Sequence, residues 1–293
     1  MTNEIEVIKR MIPKKKYVDV QGVRLHYVDW EGDGPPVLLF HGDQRTSRSW
    51  DAVARRLHDQ FRIIALDARG HGESEWSPRG YNTKDRVYDL IAFMDAVNLS
   101  DSMVVAHSTG AGVVAHVALL EPRLINKMFL IETLLVLDER FQEQASRRET
   151  DVRRFWPSQE EFLEYLKWHR ATKIWDAEVI ADVAAHEVRV VDGGQVESLW
   201  APQTFNFDER KDDLYDLHET LPGCSVPTCF LMSAGRDEKS IDVLRRVSTE
   251  MQDASIVLFE GVGHNIYMEQ PQIVSELIVD FLDGKDLPQK ISV

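Results

Sequence analysis

A serine hydroxyl attacks a carbonyl only when a base takes its proton, a third group orients that base, and donors receive the oxyanion. Val104-Val105-Ala106-His107-Ser108-Thr109-Gly110-Ala111-Gly112 puts Ser108 where an apolar strand runs into small residues and then an apolar helix. So tight a turn needs small residues two before and two after the serine, and Ala106 and Gly110 fill those places. Gly112 lets the helix lie close to the sheet. The turn lifts the hydroxyl clear of the sheet and leaves the Thr109 amide at a helix N-terminus, where a developing oxyanion can sit. Taken alone, the same residues also fit a serine that caps a helix. Further chemistry lies at other strand ends. Residues 37–40 read as a buried strand ending in His41-Gly42-Asp43-Gln44, and 61–66 as another ending in Asp67-Ala68-Arg69-Gly70-His71-Gly72-Glu73-Ser74. Residues 228–233 lead to Gly235-Arg236-Asp237, and 256–259 to Gly261-Val262-Gly263-His264. A candidate Ser, Asp and His therefore each follow a predicted strand, in that order.

With the turn at Ser108, this order resembles the α/β-hydrolase family, and the resemblance runs from about residue 17 to about residue 283. It implies a mostly parallel central sheet with helices on both faces and an inserted helical cap. It also implies roles. Ser108 would be the nucleophile and His264 the general base, the one histidine of ten in a short glycine loop after the last of these strands. His41 and His71 would brace neighbouring turns. Asp237, after the strand that follows the cap, would orient His264, with Glu132 at the end of the strand before the cap as the alternative acid. The amides of Asp43 and Thr109 would form the oxyanion hole. A carboxylate at position 43 is then a puzzle, since it sits near developing negative charge. It must turn away, be screened by Arg45 or Arg48, or meet a donor on the substrate.

Length and composition agree with such an enzyme. A chain of 293 residues suits one large α/β domain with an insertion. A formal charge of −15 argues against nucleic acid or an anionic membrane as the main partner, which leaves a small-molecule substrate, with a homodimer also open. The acidic opening Met1-Thr2-Asn3-Glu4-Ile5-Glu6 is not followed by an apolar signal core, and no apolar run is long enough to span a bilayer. A cytoplasmic protein is the expectation. Cys224 and Cys229, the only cysteines, lack the spacing of a zinc or redox pair and read as reduced structural thiols. No metal-ligand spacing or dinucleotide glycine pattern occurs, so no cofactor is implied.

The elements that must hold these residues in place can be read along the chain. Residues 17–30 alternate apolar and polar around Gln21-Gly22, which predicts an antiparallel hairpin at one sheet edge. Helices are expected at 83–97, 111–120, from Ser240 as cap through Val247, and from Pro271 to a stop at Gly284. The alternation breaks between 137 and 221. The chain therefore divides into a core of 1–136 and 222–293 and a cap of 137–221, with Pro157-Ser158-Gln159-Glu160-Glu161 opening a cap helix. Trp156, Trp168, Trp175 and Trp200 fall in the cap. The first three, with His107, are the candidate substrate-binding residues, although packing of the cap explains any single Trp as well. Arg147-Arg148 and Arg153-Arg154 could meet a substrate carboxylate or form a solvated helix face.

The expected reaction is hydrolysis of a carboxylic ester or lactone, with amides also possible, through an acyl-enzyme on Ser108. Serine at the turn argues against the dehalogenases and epoxide hydrolases of this fold, which carry Asp there. Carbon–carbon bond hydrolases are the alternative. They typically have a Ser-Gly-Pro-Gly-Ala-like loop and a Trp after the histidine, where this chain has Asp43-Gln44-Arg45-Thr46 and Asn265. Cofactor-free oxygenases, or a ligand receptor on the same fold, are further options.

Overall fold

The computed structural model describes residues 12–139, 154–205, 213 and 215–292. Its central sheet has nine strands: β1 (Lys14–Val20), β2 (Val23–Asp29), β3 (Pro36–Phe40), β4 (Arg62–Leu66), β5 (Ser102–His107), β6 (Ile125–Ile131), β7 (Thr228–Ser233), β8 (Ala254–Glu260) and β9 (Lys290–Ser292). Their order across the sheet is β1-β2-β4-β3-β5-β6-β7-β8-β9. The hairpin β1–β2 is antiparallel and turns at Gln21-Gly22, both at positive φ. The pair β2–β4 is also antiparallel, and from β4 onward every neighbour is parallel. Parallel strands need crossovers and are covered on both faces, which explains why β3 and β5 read as unbroken apolar runs.

Successive side chains of one strand point to opposite faces. Leu38, Phe40, Val104 and Ala106 therefore join one core cluster with the helices α2 (Thr83–Ala96) and α3 (Thr109–Leu120). Val37, Leu39, Met103 and Val105 join another with α1 (Asp51–Leu57) and the C-terminal helix Pro271–Leu282. Cys224 and Cys229 are buried free thiols. Among the described residues, no helix is long and apolar enough to cross a membrane.

The segment between β6 and β7 carries the inserted cap. Among the described residues two helices form it, α4 (Gln159–Trp168), opened by Ser158 whose side chain accepts from the Glu161 amide, and α5 (Ala177–His186). Short strands accompany them. Val196–Ser198 pairs with Phe155–Trp156 and Val188–Val190, while Tyr215–Asp216 pairs with Val136–Leu137. Side-chain bonds among those that fasten the cap to the core centre on Glu187 and on the helix α5. The buried Glu187 carboxylate, just past α5, accepts from Arg45 Nη1 (2.7 Å), the Thr46 amide (3.1 Å) and the Thr46 hydroxyl (3.3 Å). Arg55 and Arg56 on α1 pair with Glu178, and Arg55 also with Asp182, both on α5.

The turn at Ser108 depends on close approach of backbones. A Cβ on Gly110 would lie 2.3 Å from the carbonyl oxygen of His41, which is backbone and cannot swing aside. Gly110→Ala is therefore expected to force β3 and α3 apart and cost about 2–3 kcal/mol, on the scale of other overpacked sites. Thermal unfolding followed by circular dichroism checks this. An unchanged melting temperature would mean that the close approach is not needed.

Candidate active site

Neighbouring parallel strands deliver the chemistry from their carboxyl ends, the usual ligand-binding edge of such sheets. Ser108 directly follows β5, Glu132 directly follows β6, Arg236 follows β7 and His264 follows β8. Ser108 has φ 54° and ψ −122°, a strained backbone for a residue with a side chain. Its amide is anchored to the Ile131 carbonyl at 2.9 Å. Glu132 also has a positive φ, 52°, and its amide donates to the Leu231 carbonyl at 2.9 Å. Two strained residues at adjacent strand ends face the same loop.

His264 connects them. Its Nδ1 lies 3.0 Å from Glu132 Oε2 and its Nε2 lies 3.1 Å from Ser108 Oγ. An ionised carboxylate only accepts, so Nδ1 carries the proton and Nε2 presents its lone pair to the serine hydroxyl. Glu132 is buried and fully engaged. Oε1 accepts the Ser233 amide at 2.5 Å, and Oε2 also accepts Arg236 Nε at 2.8 Å, with Arg236 Nη2 at 2.6 Å. Burial works to raise this carboxyl. The His264 hydrogen bond, the Arg236 charge and the Ser233 amide outweigh it and hold the group below the usual carboxylate range. The relay Ser108–His264–Glu132 thus keeps an ionised acid at neutral pH.

Asp237 does not join this relay, which corrects the sequence expectation. Its exposed carboxylate caps the helix Glu238–Glu250, accepting the Ser240 amide at 3.0 Å and the Ser240 hydroxyl at 2.6 Å. The cap is therefore Asp237 and not Ser240. These two bonds, rather than His264, take up its acceptor oxygens.

The loop bearing His264 is held by Glu269 and His107. Glu269 accepts the Gly263 amide (2.6 Å) and the Asn265 amide (3.2 Å). His107 Nε2 lies 2.9 Å from the His264 carbonyl oxygen, so it carries the proton and donates. Burial, joined by the nearby His264, pushes the His107 imidazole well below its ordinary range, so it is neutral. His41 is fixed in the same way: Nε2 accepts the Ala68 amide at 3.0 Å, so Nδ1 donates to the Gly42 carbonyl at 2.7 Å. It braces the loop that carries Asp43.

Asp43 resolves its own puzzle by turning away. Its carboxylate pairs with Arg86 Nη1 at 2.6 Å, while Arg45 binds Glu187 and Arg48 binds Asp51. The amide of Asp43 donates to the Thr109 hydroxyl at 3.1 Å. Thr109 opens α3, where helix geometry leaves its own amide without an intrahelical acceptor.

These groups border a cavity of about 1020 Å³ that extends under the cap. Trp156, Trp175 and His107 line it, as does Trp200. Trp168 does not, being 79% exposed on the outer face of α4. Arg154 forms an ion pair with Glu197 at 2.6 Å rather than a solvated helix face, and Arg147, Arg148 and Arg153 lie outside the described residues. Arg45, which was read only as a screen for Asp43, also reaches this cavity, with its guanidinium 5.1 Å from the Trp175 ring centre.

The alpha/beta hydrolase family profile matches residues 37–277, most of the chain and every residue of the relay. The chain belongs to the alpha/beta hydrolase family. Among relatives of this alpha/beta hydrolase, the 2-(acetamidomethylene)succinate hydrolase of Mesorhizobium japonicum is 25% identical over 269 residues, covering 91% of this chain and 94% of that protein. The non-heme chloroperoxidase of Streptomyces lividans is 34% identical over 116 residues, covering 39% of this chain and less than half, 42%, of that protein. In three dimensions, the crystal structure of E-2-(acetamidomethylene)succinate hydrolase superposes with a TM-score of 0.82 at 23% identity, covering 93% of this chain and 100% of the other. That likeness is one of fold.

Proposed function

We propose that this alpha/beta hydrolase cleaves an acyl bond of a small organic molecule through a covalent intermediate on Ser108, with His264 as general base and Glu132 as its orienting acid. The supporting observation is the unbroken relay, 3.1 Å from Ser108 Oγ to His264 Nε2 and 3.0 Å from His264 Nδ1 to Glu132, at the wall of a cavity between cap and core. In this reading residues 137–221 act as a cap over a core of 1–136 and 222–293.

The chemistry follows from the geometry. Ser108 Oγ bonds to the substrate carbonyl carbon as its proton passes to His264 Nε2, and the carbonyl π pair moves onto oxygen. Ionised Glu132 stabilises the imidazolium formed. The tetrahedral adduct collapses, the bond to the leaving group breaks, and His264 returns the proton to that group. Water then repeats the sequence on the acyl-enzyme and frees the acid.

The comparisons lend the narrower expectation of an ester or lactone less support than they lend the alternatives. The relative matched along 94% of its length is named for hydrolysis of 2-(acetamidomethylene)succinate, neither an ester nor a lactone. An N-acyl substrate is therefore our first reading of the scissile bond. Carbon–carbon bond hydrolysis is the second, because the relay can equally activate attack on a ketone carbonyl.

Mixing the enzyme with p-nitrophenyl acetate, an activated acyl donor, tests the nucleophile. One equivalent of p-nitrophenol should appear in a burst, with an acetyl group on the peptide containing Ser108 by mass spectrometry. Absence of both burst and adduct would rule out the covalent mechanism. An N-acyl amide and a 1,3-diketone sharing one acyl group then separate the two readings, according to which is turned over.

A further inference from the structure

We infer that the hydroxyl of Thr109 is itself an oxyanion donor, with the Asp43 amide acting behind it; this rests on the acyl-transfer reading above. In the expected arrangement the amides of Asp43 and Thr109 both point at the oxyanion. Here the Asp43 amide is already committed, donating to Thr109 Oγ1 at 3.1 Å. A hydroxyl has one proton and two lone pairs. With a lone pair of Thr109 taken by Asp43, its proton must find another acceptor, and no protein group among the described residues takes it.

Position favours the substrate as that acceptor. Thr109 is the residue after Ser108, borders the cavity and is only partly buried. Its hydroxyl lies 3.1 Å from the Asp43 amide, and it lines the same cavity as Ser108. The Asp43 carboxylate meets Arg86 Nη1 at 2.6 Å and makes no hydrogen bond with the Thr109 hydroxyl. Donation by the Asp43 amide polarises the hydroxyl and makes it a stronger donor, as in any chain of hydrogen bonds. The oxyanion would then meet two protons from one residue, the backbone N–H and the side-chain O–H of Thr109. The competing role is a plug, in which the hydroxyl merely satisfies the Asp43 amide at rest and swings away as the oxyanion forms. Donor and plug predict opposite outcomes when the hydroxyl is removed.

Thr109→Val keeps the branched shape at the start of α3 and deletes the hydroxyl, whereas Thr109→Ser keeps the hydroxyl. With p-nitrophenyl acetate, the acylation rate constant of Thr109→Val should fall by about 10²-fold, the scale for loss of one oxyanion donor, with KM changed little. Thr109→Ser should recover most of that loss. Inhibition by phenylboronic acid, which forms a tetrahedral adduct on the serine, should weaken in parallel with kcat/KM, a response that a packing defect would not produce. Circular dichroism melting establishes that both variants are folded. A Thr109→Val enzyme that acylates at the wild-type rate or faster overturns the inference, because the Asp43 amide then suffices. Ser108→Ala run alongside keeps the two levels apart. If it retains the burst, the acyl-enzyme reading fails and the inference with it. If it is inactive while Thr109→Val is fully active, only the inference fails.

Discussion

Glu132→Gln is expected to lower kcat by about 10⁴-fold, while Asp237→Asn leaves it near the wild-type value. The amide at 132 keeps the length of the side chain but cannot neutralise the imidazolium that forms as His264 takes the serine proton. It can also turn its NH₂ toward Nδ1 and select the wrong tautomer. Arg236, whose side chain is 27% exposed, would lose its charged partner at the same time, so melting curves must accompany the kinetics. Glu132→Asp separates the effects by restoring charge at a shorter reach, and should recover activity in part. Asp237→Asn is the informative contrast, because Asn caps a helix as well as Asp does and the helix Glu238–Glu250 should keep its stability. A large kcat loss at Asp237 with a small one at Glu132 would reverse the assignment. The sign of the pH dependence follows from the depressed carboxyl of Glu132. Its stabilising contribution is complete above the ordinary glutamate range and is lost as pH falls through the lower folded value. Protonation of Glu132 therefore removes the relay only in stronger acid than an exposed glutamate would require.

The difference between Asp237 and Glu132 shows where sequence reasoning stops. Strands and helices were legible to within a few residues because periodicity and small-residue turns are local, and Ser108 and His264 were legible because each sits in a turn with its own pattern. The acid was not. Both candidates end a strand lying between β5 and β8, so strand order alone cannot choose between them. The choice rests on Arg236 and the Ser233 amide closing on Glu132, contacts that join positions more than a hundred residues apart. A local signal against Asp237 did exist. Asp237 three residues before Ser240, ahead of Ile241, Leu244 and Val247, is a helix-cap pattern that already accounts for the carboxylate. Trp168 had a similar signal. Phe162 and Leu166, four apart, mark the buried face of α4, and Trp168 two residues on must point away from it. The Asp43–Arg86 and Arg45–Glu187 pairs had none, because nothing local specifies which of several charged partners a side chain will meet.

Ser108→Ala should abolish the p-nitrophenyl acetate burst and lower turnover by at least about 10³-fold, with the fold intact. Alanine removes only the hydroxyl. The strained backbone at φ 54° is imposed by the bond from the Ser108 amide to the Ile131 carbonyl and by the packing of Gly110 on the His41 carbonyl, neither of which the substitution touches. The Ser108 side chain caps no helix amide, so α3 loses no hydrogen bond either. Residual activity should come from the oxyanion donors acting on direct attack by water, without help from the relay. Combining Ser108→Ala with Glu132→Gln should therefore cost far less than the product of the two separate losses, because the residues act as one unit. Independent, multiplicative losses would mean that Glu132 supports the fold of the loop rather than the transfer of the serine proton.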